Sequence, residues 1–149
     1  MTKLPLWFPV FLLAGITLTG IQAQCSSVQD AVQSHIQVLE QKRVDCTKLV
    51  QKGNAALADK DYELAYELFK SAVDNLPQAG KATSSIRGVA LRGFCEASLL
   101  LASQRIYESR NTDAKLILEV VLLDRYNPNY RPAKTLRWQL MENPFLALQ

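Results

Sequence analysis

Histidine is almost missing from this chain of 149 residues: His35 is the single one. A multi-histidine metal site is excluded, and any histidine-dependent nucleophile has one candidate base. Glycine is scarce, at six residues, so no glycine-rich phosphate cradle is expected. The three cysteines, Cys25, Cys46 and Cys95, lack the paired C-x-x-C spacing of a zinc site. No Asn-x-Ser/Thr acceptor for glycosylation occurs anywhere in the chain. What is present is ordinary globular material, 48% apolar and 21% charged, which excludes disordered and collagen-like classes. The length suits one domain.

The N-terminus reads as an export signal. Lys3 supplies the positive start, an apolar run follows from Leu4 to Leu18, and Ala23 is small, as the residue before a cleavage should be. The run is short for a membrane span, which needs about 20 apolar residues. An uncleaved anchor and a buried N-terminal helix are the rival readings. Cys25 raises a lipid-attachment reading, although Gln22-Ala23-Gln24 is a poor match to the small apolar stretch that precedes a lipidated cysteine. Cleavage after Ala23 removes Lys3 and no acid, leaving 16 basic against 14 acidic residues. A balance so near neutral gives no electrostatic case for nucleic acid or anionic lipid.

The rest of the chain reads as helices. Val28, Val32, Ile36, Leu39, Cys46, Leu49, Gly53 and Ala56 recur at helical spacing with no proline among them, predicting one long helix or two with a break near Val44-Asp45. Asp61 is placed to cap a helix over Tyr62 to Asn75, with Ala65, Leu68, Phe69, Ala72, Val73 and Leu76 inward and Pro77 as the stop. Gln78 to Ser85 predicts a loop. A third helix is expected from about Ser85 to Ser109, weakened at Gly88 and Gly93, where glycine marks a close helix contact. Asp113 to Asp124 predicts a fourth helix, with a buried strand as its rival; its run Leu116 to Leu123 is apolar on nearly every side and calls for cover on more than one face. Pro132 fits the first turn of a last helix with Leu136, Leu140 and Met141 inward and Trp138 at the flank.

Leu49, Gly53, Tyr62, Ala65, Phe69, Ala72 and Pro77 fall at the spacing of a tetratricopeptide repeat (TPR), and the segment from Leu49 to Pro77 resembles one. Lys52 and Ala56 depart from the leucine and aromatic usual in that pattern. A degenerate second copy follows: Ala102, Ala114, Leu118 and Val121 repeat Gly53, Ala65, Phe69 and Ala72 at an offset of 49 residues. That offset exceeds the family's ~34-residue period. Arg105 and Asn111 stand where aromatics are usual. The resemblance implies close antiparallel helix pairs at the small residues. Cys46 and Cys95, also 49 apart, then occupy equivalent places on successive first helices. Neighbouring helix axes lie ~8–10 Å apart, too far for a disulfide, so buried free thiols are expected.

More widely, the exported helix, the repeat, the second pair and the closing Glu142-Asn143-Pro144 are similar to the N-terminal helical region of bacterial secretin-like proteins, the outer-membrane channel subunits of type II/III secretion and type IV pilus systems. Nothing here could form their strand-rich channel domain. The chain is therefore read as a fragment of such a protein or as a free-standing relative, and pore activity is not carried over.

The expected fold is all-α, a short TPR-like solenoid of antiparallel helix pairs after a cleaved signal peptide. Its parts are a signal peptide (1–23), a bracing helix (24–45), a first repeat (46–77), a loop and helix extension (78–94), a degenerate second repeat (95–128) and a capping helix with tail (129–149). The expected function is a non-catalytic protein–protein interaction or scaffolding module of the bacterial envelope, periplasmic or associated with the outer membrane. Its partner is a second copy or the envelope machinery, with membrane contact only through the export signal or a larger assembly. No catalytic residue, cofactor, metal, nucleic acid or small-molecule substrate is expected. The candidate partner-binding residues lie on the first helix of each pair: Val50, Asn54 and Leu57, then Leu99, Ser103, Ile106 and Tyr107. The competing reading makes them core contacts with the N-terminal helix. The acid pairs Asp59/Asp61 and Glu40/Asp45 read as caps and solvated charges. Lys42-Arg43 with Arg125, Arg131, Lys134 and Arg137 read as a solvated rim. Tyr126, Tyr130 and Trp138 interleave with those arginines and read as packing within the C-terminal cap, with a weak partner patch as the alternative. A small periplasmic enzyme with an unrecognised site is the alternative from another class.

Overall fold

In a computed structural model of the chain, residues 18–78 and 81–142 are described, with side chains from 28–78 and 83–142. Residues 1–17 of the expected export signal (1–23) and the tail beyond Glu142 lie outside the described residues. The described part is all-helical: α1 Leu18–Ala58, α2 Tyr62–Asp74, α3 Lys81–Tyr107, α4 Asn111–Val121 and α5 Arg131–Glu142. No described helix is long and apolar enough to cross a membrane.

The chain divides into two units, Met1–Leu39 and Glu40–Gln149. In the first, Val28, Val32, Ile36 and Val38 all stay exposed, so the helical periodicity is present and the burial is not. His35 is exposed as well. α1 carries no break at Val44-Asp45, where residues of good helix propensity continue the backbone without interruption.

The second unit holds the core. α2 starts where Asp61 accepts a hydrogen bond from the Leu64 N–H at 3.1 Å, with Glu63 in the first turn beside the positive helix end. Ala65, Tyr66, Phe69, Ala72 and Val73 form its buried face, a period of three and four that puts them on one side. Phe69 is fully buried, and a Cβ built on Gly53 would stand 2.9 Å from its ring. On the other helix, a Cβ on Gly93 would press closest on the ring's Cε1 and stand 2.6 Å from its Cζ. The aromatic thus wedges between α1 and α3 at the two places that lack a side chain. Gly93 is the close contact that its position predicts; Gly88 is open, with only Arg92 Nη1 at 3.9 Å.

The two hairpin turns are the same structure. After α1, Asp59 N–H donates to Ala55 O, Lys60 to Leu57 O and Asp61 to Ala56 O, at 3.0, 3.1 and 2.9 Å. After α3, Glu108 donates to Gln104 O, Ser109 to Ile106 O and Arg110 to Arg105 O, at 2.9, 2.9 and 2.7 Å. Each bond recurs 49 residues on. So does the left-handed residue that the turn needs, Lys60 at φ 59° and Ser109 at φ 62°. The positions equivalent to Ala65, Phe69 and Ala72 are Ala114, Leu118 and Val121, and all six are fully buried.

Four expectations need correction. α3 begins at Lys81, inside the expected loop, because Ala82 to Ser85 carries no helix breaker. α4 buries only Ala114, Leu118 and Val121, one side of the helix, and leaves Leu116 and Leu123 exposed. The strand alternative for α4 does not hold. In α5 the start at Arg131 turns Ala133, Leu136 and Leu140 inward, and Met141, one residue and about 100° further on, points out with Trp138.

Candidate functional site

The candidate face belongs to the second unit. α1 and α3 each end in the shared turn, which brings Leu57 and Ile106 to matching stations one turn before the left-handed residue. Leu57, Leu99 and Ile106 are half-buried and pack on the core. Asn54, Ser103 and Tyr107 are exposed, Tyr107 at 92%. The Ser103 hydroxyl donates to Leu99 O at 2.8 Å, a bond within its own helix. Val50 is buried and belongs to the core, one turn before Asn54 on α1, so it supports the face from beneath instead of lining it. What remains is half-covered Leu57 with the exposed Asn54 amide at the end of α1, and half-covered Leu99 and Ile106 with an exposed hydroxyl and phenol at the end of α3.

On the same stretch of α3, Arg105 ties that helix to α2 with a charge the sequence gives no reason to bury. Arg105 is 9% exposed, its guanidinium 2.6 Å from Glu63 Oε2 and 2.9 Å from Glu108 Oε2. The hydrogen bonds it donates to Glu108 and then Glu63 raise its pKa further, so it is always charged. The bond from Arg105, with a second from Gln104, holds the Glu108 carboxyl below its ordinary value. Arg105 stands where the repeat pattern has an aromatic. Its aliphatic stem fills that space, and its head reaches carboxylates at the rim. A cleft of about 260 Å³ beside it is walled by Tyr66, Leu101, Leu116 and Ile117. Arg110 continues the chain of charges, bonding Asp113 through Nε at 2.7 Å.

At the far end of α2, Asp74 is a hub. It accepts from the Tyr126 hydroxyl at 2.8 Å and Lys70 Nζ at 3.0 Å, and pairs with Arg125 at 2.8 Å. Partial burial opposes its charge, but the bonds from Tyr126 and Lys70 and the two cations win and hold its pKa below the ordinary value. Tyr126 itself is buried and stacks on Phe94 at 4.8 Å between centroids. Arg87 donates to Val73 O at the C-terminal end of α2 and to Arg125 O, at 3.2 and 3.0 Å. Sequence reasoning missed Arg87, Arg105 and Asp74. The one available signal was Arg105 in an aromatic slot.

Cys46 and Cys95 are free and buried, and burial pushes both thiols up. Cys46 Sγ donates to Ala72 O at 3.5 Å, and Cys95 Sγ accepts from Asn127 Nδ2 at 3.9 Å. Cys95 lies in a cleft of about 360 Å³ with Leu91, Arg92, Glu96, Asn127 and Tyr130, where burial favours the protonated thiol over the nucleophilic thiolate. Among the described residues no three His, Cys, Asp or Glu gather to hold a metal. Asp45 and Glu40 pair locally with Lys48 and Arg43, as solvated charges do. Compared with known proteins, the chain matches no family model, no curated protein and no solved structure.

Proposed function

We propose that the chain is a non-catalytic protein–protein interaction module of the bacterial envelope, built as a short TPR-like solenoid. The observation that carries this reading is the turn repeated at 49 residues, with its left-handed residue and its bonds in the same places. Repetition of a hairpin stacks equivalent helices, and the strip between successive first helices is where such folds seat a peptide. Leu57, Leu99 and Ile106 supply the apolar floor there, and Asn54, Ser103 and Tyr107 the polar edge. Buried, protonated thiols suit a structural protein better than a redox or hydrolytic one. The export-like N-terminus supports a periplasmic or outer-membrane setting, as the N-terminal region of a secretin-like component or as a free-standing adaptor.

A photo-crosslinking residue placed singly at Asn54, Ser103 and Tyr107 tests it in cells. Adducts to one protein from all three positions, and none from Lys115 on α4, are the expected result. Equal labelling from Lys115, or no adduct from any of the three, refutes the proposed face. Alkaline phosphatase fused after residue 30 reports the compartment: activity requires export.

A further inference from the structure

α5 carries two faces, and the core needs only one. Ala133 is fully buried and Leu136 and Leu140 rest on the core, which closes the end of the unit. The opposite face holds Lys134, Arg137, Trp138 and Met141, at i, i+3, i+4 and i+7. Trp138 is 59% and Met141 58% exposed, and the four residues line a groove of about 170 Å³. A helix that served only to close the fold would present polar residues there. Instead it shows the largest side chain in the repertoire beside a thioether, the adaptable filler of binding surfaces.

The charge on this face has one sign. Arg131, Lys134 and Arg137 lie along it, and Glu142 is the only acid on α5. Lys134 bonds the Asn129 amide oxygen at 3.3 Å, and among the described residues none of the three cations is paired with a carboxylate. Lys70, Arg105, Arg110 and Arg125, by contrast, each meet an acid; what sets the α5 face apart is three cations of one sign on one short helix beside an exposed tryptophan. Tryptophan and arginine side by side around a small concavity are the composition of an interaction hot spot.

We propose that the outer face of α5 is a second docking site, distinct from the strip on α1 and α3, and that its occupant is an acidic segment of a protein partner. One apolar side chain of that segment seats between Trp138 and Met141, and flanking carboxylates meet Arg137 and Lys134. The occupant is chosen on charge and shape together: three cations call for carboxylates, and the space between Trp138 and Met141 for one apolar side chain. The contact is small, in the class of weak, salt-sensitive, transient interfaces.

Trp138 is its own reporter. In the full chain with Trp7→Phe, it is the only tryptophan, and its emission reads burial of the face. The probes are a helical peptide of Glu, Ala and Leu with leucines at i and i+4, its Lys-for-Glu twin, and vesicles of phosphatidylglycerol or of phosphatidylcholine. The expected result is a saturable blue shift with the acidic peptide alone. Arg137→Glu and Lys134→Glu, each folded by circular dichroism, weaken it tenfold or more, and Lys115→Glu leaves it unchanged. Raised salt weakens it too. No shift with the acidic peptide, or an equal shift with its lysine twin, overturns the proposal. A shift only with phosphatidylglycerol assigns the face to anionic lipid, and a shift on concentrating the protein alone assigns it to a second copy; either overturns an acidic partner.

Discussion

Alanine in place of glycine should act with opposite sign at two positions five residues apart on α3. Within a helix, Ala is favoured over Gly by about 1 kcal/mol, whatever surrounds it. At Gly88 nothing opposes that gain, since a Cβ would meet only the flexible tip of Arg92 at 3.9 Å. Gly88→Ala should therefore stabilise by up to ~1 kcal/mol. At Gly93 the added methyl would lie 2.6 Å from Phe69 Cζ and 2.7 Å from Cδ1, distances that real Cβ atoms do not adopt. The ring is fully buried and cannot retreat, because its other edge already faces Gly53 at the 2.9 Å a Cβ there would leave. Overpacking costs ~1–3 kcal/mol, and a ring held on both sides belongs at the upper end. After the propensity gain, Gly93→Ala should destabilise by about 2 kcal/mol, a fall in Tm of roughly 8–16 °C for a domain near 100 residues. Urea and thermal melts followed at 222 nm give both values. In a double-mutant cycle, Phe69→Leu should recover part of the loss in the Gly93→Ala background while destabilising the parent. A Gly93→Ala protein that melts at or above the parent would refute the wedge.

Other expectations follow from single contacts. Ser109→Gly and Lys60→Gly relieve a left-handed residue and should each stabilise by ~0.5–1 kcal/mol in the same melts, whereas Asp61→Ala removes the cap of α2 and should cost ~1 kcal/mol. Asp74 has a folded pKa below its unfolded one, so its contribution is complete above the ordinary carboxylate value and is lost as pH falls through the folded value. Stability should then drop below about pH 4, and Asp74→Asn should flatten that limb of the pH–Tm curve while lowering the plateau. Native Cys46 and Cys95 should resist iodoacetamide and react fully in urea; modification of either in the folded protein at the unfolded rate would contradict their burial.

Much of the helical layout was readable because its signals are local. Asp61, Glu63 and Pro77 bracket α2, and the three-four spacing of Ala65, Phe69 and Ala72 names its buried side before any tertiary information enters. Free, buried thiols at Cys46 and Cys95 followed from the 49-residue offset that also relates the two turns. What failed was non-local. Periodicity marks Val28, Val32 and Ile36 as a stripe but cannot supply the surface that would cover it. Met141 went to the wrong side because the phase of α5 is fixed by which residues meet α4, and two leucines with Ala133 settle that. Tyr66 and Arg105 were unreadable for a shared reason: each buries a long side chain against another element, Tyr66 its ring on Phe94 of α3 and Arg105 its head on Glu63 of α2. On the candidate face, composition identified the right helix ends, but only the packing separates Val50 in the core from Leu57, Leu99 and Ile106 at its edge.

A three-dimensional NOESY spectrum with labelled phenylalanine rings would probe the joint between the helices at first hand. The Phe69 ring protons should give strong cross-peaks to the Hα atoms of both Gly53 and Gly93, with those Hα signals moved upfield by the ring current. Cross-peaks to one glycine and not the other would mean that the ring does not join α1 to α3, and the helix-pair packing described for this chain would be wrong.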